Sequence, residues 1–353
     1  MNIAFVNATV RWGGVKTWYL EFAERLAQRG NLVRVYGRQE AFVQAAQERV
    51  GHGETARFGA DLNPATVYRF YRLFREQQID VVIVNIEKDL ATAGVAARLA
   101  GIPVVQRIGL PNDVPLRLKT RLLHRWIRPT FLCPCRFIAD GFCASLPYVR
   151  ESDVHVVLNG KKASSVPLEL HHPRRLVCTQ QLVDDKGHAT LLHAAAGLQK
   201  AGLDFSLHIW GTGQSGDQLK ALSTQLGLQD KVFWHGFSAH IMEDLQQGDV
   251  FLLASLSEGL PNTLLEGMAA GLLPISRHVG GVKEVLPQAF APWTLPYAAT
   301  AEDFQRVLHA ALALPDAELL RLRELARATC KATFDIDTQA AQLESWLMRF
   351  KRR

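Results

Sequence analysis

Glu258 and Glu266 stand eight positions apart in ASLSEGLPNTLLEGMAAGLLPIS, residues 254–276. The stretch reads as a strand end, a turn at Glu258-Gly259, and a helix that Pro261 opens from its first position and Gly271 stops. The two carboxylates therefore flank a helix N-terminus, where unpaired N–H groups and partial positive charge suit a phosphate. Carboxylates beside such a site can accept hydrogen bonds from the hydroxyls of a hexose or a ribose. The same spacing fits two solvated acids stabilised by the helix dipole, and spacing alone does not choose between them.

A second candidate is Gly211-Thr-Gly213-Gln-Ser-Gly216, which spells G-x-G-x-x-G between a strand-like and a helical run. The dinucleotide fingerprint belongs in the first βα turn of its domain, with an acid at the end of the second strand. Here the motif follows the second strand of a second domain, and the next strand, KVFWHG, ends without an acid. Nicotinamide chemistry is not expected. The first domain opens instead on ATVRWGGVK, whose Gly13-Gly14 pair lets a loop approach a ligand closely.

Other constellations carry less. Asp335-Ile-Asp337 spells D-x-D just ahead of a terminal helix, where Asp337 is expected as an N-cap. His188, His193, His235 and His278 show no ligand spacing, nor does the C-x-C-x7-C of Cys133, Cys135 and Cys143, so no metal is expected. Ser145 and Ser257 lack a nucleophile elbow.

Two α/β series must position these residues. Strands are expected at 2–7, 32–37, 81–85, 103–109, 136–140 and 154–160, with helices clearest at 14–29 and 90–100. A second set of strands reads at 174–180, 205–211, 231–236, 250–255, 272–277 and 291–296. Helices fit 187–201, 216–227, 240–247, 262–271, 301–313 and 336–350. The polar stretch 159–175 reads as a linker. The expected domains are 1–165 and 166–335, with 336–353 crossing back to the first.

The 353 residues carry a net charge of +6, which favours an anionic partner such as a nucleotide or a phospholipid surface; no nucleic acid is expected. The charge concentrates in PLRLKTRLLHRWIR, 115–128, which on a helical wheel sets Leu118, Leu122, Leu123, Trp126 and Ile127 against Arg117, Arg121, Arg125 and Arg128. Such a helix fits an anionic membrane interface and equally an ordinary surface helix packed on a core. No apolar run reaches the ~18–20 residues that span a bilayer. Five cysteines, an odd number, argue for a reducing cytoplasm rather than a disulfide framework.

Residues 254–276 resemble the E-x7-E signature of the family-4 group of GT-B glycosyltransferases, through Ser255, Glu258, Gly259, Pro261, Glu266, Met268, Ala269 and Gly271. WGGVKTWYLEFAERLAQRG is similar to that family's opening loop and helix, VVLNG to the strand closing its first domain, and DDKGHATLLHAAAGL to its K-G segment. HIWGTGQSGDQLKAL, DKVFWHGF and VGGVKEV are similar to its later motifs, in the same order. The resemblance implies a GT-B α/β fold: two Rossmann-like domains with parallel sheets facing a central cleft, and a C-terminal helix returning to the first domain. It implies a retaining glycosyltransferase that takes a nucleotide-diphosphate sugar as co-substrate, with no metal. It further implies a glycan or lipid-linked acceptor, in lipopolysaccharide or other envelope polysaccharide synthesis, for a cytoplasmic protein peripheral to the inner face of the cytoplasmic membrane.

Carried over residue by residue, Lys186 neutralises the diphosphate, Glu266 binds ribose hydroxyls and Glu258 the donor sugar's hydroxyls. Gly13, Gly14, Gly211, Gly213, Phe237, Gly259, Leu260, Asn262 and Thr263 complete the donor side. Two departures stand out. Gln181 occupies the place of the family's second phosphate cation, and Gly109 that of its usual histidine, which leaves Arg107, Asn112 and Asp113 as polar groups at that turn. Arg107 and Asn112 are assigned to the acceptor side and Asp113 to catalysis. These departures keep open a non-catalytic GT-B-like nucleotide-sugar-binding or partner protein, and a GT-B epimerase or phosphorylase stays open as a second alternative.

Overall fold

A computed structural model describes residues 1–10 and 12–351. Two compact units divide the chain: Met1–Asn159 with Ile336–Arg353, and Gly160–Asp335.

The first unit is built on a seven-stranded sheet in the order β3-β2-β1-β4-β5-β6-β7. Its strands are β1 (Asn2–Asn7), β2 (Leu32–Gly37), β3 (Gly53–Thr55), β4 (Val81–Val84), β5 (Val104–Arg107), β6 (Thr130–Cys133) and β7 (Val154–Val156). All pair in parallel, with Ile3 opposite both Val33 and Val81. The central strands are apolar on both faces because helices cover both. On one face Phe5, Ile83 and Val105 meet Trp18, Tyr19 and Phe22 of the helix Gly14–Gln28 and Leu343, Trp346 and Leu347 of the helix Ile336–Leu347. On the other, Ala4, Val82 and Val84 meet Phe70, Phe74 and Leu90.

The second unit carries a six-stranded sheet in the order β10-β9-β8-β11-β12-β13. Its strands are β8 (Arg174–Cys178), β9 (Phe205–Trp210), β10 (Val232–Gly236), β11 (Val250–Leu253), β12 (Leu273–Arg277) and β13 (Thr294–Leu295), again parallel throughout. In each sheet the order reverses at one place, between β1 and β4 and between β8 and β11. Ligands of open parallel sheets bind outside the carboxyl ends of the strands at such a point.

Several expectations are corrected. Residues 136–140 lie in a helix, Arg136–Ser145, and the strand is Thr130–Cys133 just before it. RFIAD is a short apolar run that fits either period, and Ile138, Ala139 and Phe142 settle it by packing one helical face inward. The helix Asp316–Thr333 stands where the sequence pattern sets no element. Its polar-looking Arg323 is fully buried, donating to the Gly271, Glu169 and Gly248 carbonyls and to Asp249 Oδ1 at 2.9 Å. Asp337 is not a cap. It lies inside the first turn of Ile336–Leu347 and pairs with Arg25 at 3.1 Å.

The basic helix runs Leu118–Ile127, ended by Arg128 in the left-handed region at φ 55°. Its buried face is Thr120, Leu123, His124 and Ile127, narrower than expected. His124 is held by Gln106 Oε1 at 3.0 Å and Tyr148 OH at 3.2 Å, and burial pushes its pKa down to about 4. Leu118, Leu122 and Trp126 are instead 73%, 55% and 44% exposed, alongside exposed Arg117, Arg121 and Arg125. Among the described residues no helix is long and apolar enough to cross a membrane.

Candidate functional site

In the second unit the loops leaving β8 and β11 meet. Lys186, at the end of the β8 loop, reaches Glu258 Oε1 at 3.0 Å and the Ser257 carbonyl at 3.1 Å. Both ends of this contact are fixed by backbone. The Leu256 amide donates to the Asp185 carbonyl at 2.7 Å. Gly187 adopts φ +71°, and a Cβ there would lie 2.2 Å from the Ala254 carbonyl, so only glycine lets the lysine loop seat on the end of β11. Gly280, at φ +55°, approaches the Glu258 carbonyl so closely that a Cβ would stand 2.0 Å away, and the Gly281 amide donates to Gly259 at 2.7 Å. Lys186 and Glu258 thus rest on loops held together by backbone contacts.

The helix below runs Asn262–Ala270, and Pro261 is its cap rather than its first residue, with φ −70° and no side-chain cap. Leu260 is buried, while Gly259, Asn262 and Thr263 are partly exposed around this helix start. Glu266, buried in the same helix, holds Lys161 Nζ at 2.8 Å through Oε1. Gln180, not singled out by the sequence, is buried; its amide donates to the Leu252 carbonyl at 3.2 Å and to Thr263 Oγ1 at 3.5 Å. Its neighbour Gln181 is exposed on the loop.

Buried polar atoms without partners gather at the same strand ends: Thr179 Oγ1, Ser255 Oγ and both ring nitrogens of His188, the first residue of the helix His188–Lys200. Burial, then the nearby Lys186 charge, pushes the His188 pKa down to about 4, so the ring is neutral near pH 7.

The G-x-G-x-x-G turn has a supporting role. A Cβ on Gly211 or Gly213 would stand 2.2 Å from the Gln180 or Leu182 carbonyl. The turn bonds the Leu182 amide through the Thr212 carbonyl at 3.1 Å, and Ser215 Oγ donates to Asp184 at 2.5 Å. Its glycines let it pack against the Lys186 loop. Phe237, just past β10, is 66% exposed.

The remaining candidates lie in the first unit. Gly13 caps the helix Gly14–Gln28 in extended backbone that any residue adopts. Arg107 ends β5 in the interior, its guanidinium 4.8 Å over the Trp18 ring, and burial holds its pKa below the usual range. Asp113 closes the turn beside it, with Oδ2 accepting the Gly109 and Leu110 amides at 2.7 and 2.8 Å; Asn112 is exposed. Continuing the strand register sets Asn7, Asn85 and Arg107 side by side at the ends of β1, β4 and β5. Asn7 Nδ2, Asn85 Oδ1, Arg107 Nη1 and Tyr19 OH are buried there without partners. Beneath them Asp89 accepts the Ala8, Asn85 and Ile86 amides, and burial raises its pKa to about 7.

Among the described residues no three His, Cys, Asp or Glu side chains form a metal-holding group. A cation, two carboxylates and a helix start at one strand-order reversal can bind a diphosphate and the hydroxyls on either side of it.

Residues 12–161 match the family model described as Glycosyltransferase Family 4, and residues 161–329 the one described as Glycosyl transferases group 1. The chain is 33% identical over 135 residues to the amylovoran biosynthesis glycosyltransferase AmsK of Erwinia amylovora, covering 36% of this chain and 33% of that one. It is 26% identical over 240 residues to the UDP-Gal:alpha-D-GlcNAc-diphosphoundecaprenol alpha-1,3-galactosyltransferase of Escherichia coli, covering 60% and 61%. Such matches span 33% to 61% of the first curated relatives' own lengths. The crystal structure of Anabaena Alr3699/HepE in complex with UDP and glucose superposes with a TM-score of 0.82 at 19% identity, over 99% of this chain and all of that one, which establishes the shared fold.

Proposed function

The chain belongs to the glycosyltransferases that the family 4 and group 1 models describe, and from that premise we propose that it moves a sugar from a nucleoside-diphosphate sugar to a glycan or lipid-linked acceptor. The observation that carries this reading is the 3.0 Å contact of Lys186 with Glu258 at the β8/β11 reversal. On this reading the cation faces the diphosphate as it gains charge on leaving, and the carboxylate receives the sugar's hydroxyls. The acceptor oxygen bonds to the anomeric carbon as that carbon's bond to the β-phosphate oxygen breaks. Lys186, rather than a metal, stabilises the departing charge, with Gln181 offering a neutral donor beside it.

Retention of configuration follows from the family resemblance: the leaving phosphate takes the acceptor's proton on the face it departs from. Ribose hydroxyls fall to Glu266, and the acceptor side to the Arg107–Asp113 turn. The names of the relatives support a role in envelope polysaccharide synthesis. The exposed Leu118, Leu122 and Trp126 beside three arginines support docking on the anionic inner face of the cytoplasmic membrane.

The test is a thermal-shift screen against UDP, GDP, ADP and CMP sugars, followed by assay of nucleotide release. A specific shift with turnover supports transfer. A shift without turnover favours the non-catalytic binding protein, and no shift with any nucleotide overturns the reading.

A further inference from the structure

Resting on that reading, we infer that Lys161 is a positioning residue for the donor nucleotide, holding the Glu266 carboxylate in the orientation that receives the ribose hydroxyls. The pair is direct and nearly dry: Lys161 Nζ lies 2.8 Å from Glu266 Oε1, with the two side chains 4% and 10% exposed. Lys161 is itself fixed by backbone. Its amide donates to the Phe334 carbonyl at 2.7 Å, and it bridges Asp335 in parallel, where the chain enters and leaves the second unit. Cys330, buried with its thiol 3.8 Å from the Leu265 carbonyl, closes this side of the helix Asn262–Ala270.

A glutamate side chain has three rotatable bonds, and ordering it on ligand binding costs affinity. Lys161 removes that cost in advance. With Oε1 committed to the lysine, Oε2 is left to the ligand, so Glu266 meets the ribose in one pose. A plain structural ion pair would stabilise the unit in the same way but would not make nucleotide affinity depend on both partners together.

The experiment is titration calorimetry of the full chain with UDP, and with GDP and ADP in parallel, for wild type, Lys161→Met, Lys161→Arg, Glu266→Gln and the Lys161→Met/Glu266→Gln double variant. The double variant removes both charges, so no carboxylate is left buried and unpaired. Lys161→Met is expected to weaken binding of the nucleoside diphosphate about ten- to a hundredfold, the range for an oriented hydrogen bond to a charged group. Lys161→Arg restores most of it. In the Glu266→Gln background, Lys161→Met changes affinity less than about twofold, because the two residues act as one unit. Wild-type affinity in Lys161→Met, or single losses that multiply in the double variant, overturns the inference alone. Absence of binding by the wild type to all three overturns both the proposed function and this inference.

Discussion

Lys186 Nζ and Glu258 Oε1 are 3.0 Å apart, so the cation assigned to the diphosphate pairs with the carboxylate assigned to the sugar. On the proposed function, a bound diphosphate would draw the lysine toward phosphate and free the carboxylate for the sugar's hydroxyls. On that reading the two ends of the pair answer to two parts of one donor.

Lys186→Ala should therefore separate the two parts of the nucleotide. UDP binding is expected to weaken about ten- to a hundredfold, whereas uridine, which lacks the phosphates, changes less than about twofold. Calorimetric titration with both ligands reads the difference, and equal losses would place Lys186 elsewhere.

Gln181 lies exposed on the same loop, in the place of the family's second phosphate cation. Gln181→Arg is expected to strengthen binding of a nucleoside diphosphate about threefold to thirtyfold at low salt, with the gain shrinking as ionic strength rises. A gain that is absent, or that salt leaves unchanged, would show that the guanidinium does not reach phosphate.

Leu122 and Trp126 are exposed beside Arg121 and Arg125 on the helix Leu118–Ile127. Sedimentation with vesicles containing anionic phospholipid should pellet the wild type and lose Leu122→Glu and Arg121→Glu/Arg125→Glu variants, with neutral vesicles binding far less. These side chains are solvent-exposed, so folding is kept and melting temperatures serve as the control.

His188 has a folded pKa of about 4 through burial, against an ordinary value near 6.5. Between those values the unfolded chain binds the extra proton. The neutral ring's contribution is therefore complete above pH 6.5 and is lost as pH falls toward 4. Up to about 3 kcal/mol is at stake. Urea unfolding of wild type and His188→Gln at pH 7 and pH 4.5 should show the wild type losing more stability on acidification. Identical pH slopes would contradict it.

The alternating α/β order, both parallel sheets' main strands and the helix carrying Glu266 are legible because short β-rich apolar runs and a proline–glycine bracket are local signals. What escaped was non-local. Lys161 sits in a polar stretch that reads as a linker, and only the folded chain brings it to Glu266. Arg323 makes the helix Asp316–Thr333 look solvated, yet it is buried because carbonyls from three loops and Asp249 surround it. RFIAD was too short for its period to decide between strand and helix. On the basic helix the wheel separated apolar from charged residues but could not tell which apolar ones find a core, so Leu118, Leu122 and Trp126 were grouped with Leu123 and Ile127.

The proposed transfer depends on Lys186 and Glu266 holding a nucleoside-diphosphate sugar. The measurement that tests it most directly is release of nucleoside diphosphate from UDP-, GDP- and ADP-sugars by wild type, Lys186→Ala and Glu266→Ala, with membrane lipid extract supplying acceptor and unfolding curves confirming each fold. Turnover of one donor class by the wild type is expected, with a loss of about a hundredfold or more in each folded variant. Wild-type rates in both variants would contradict it.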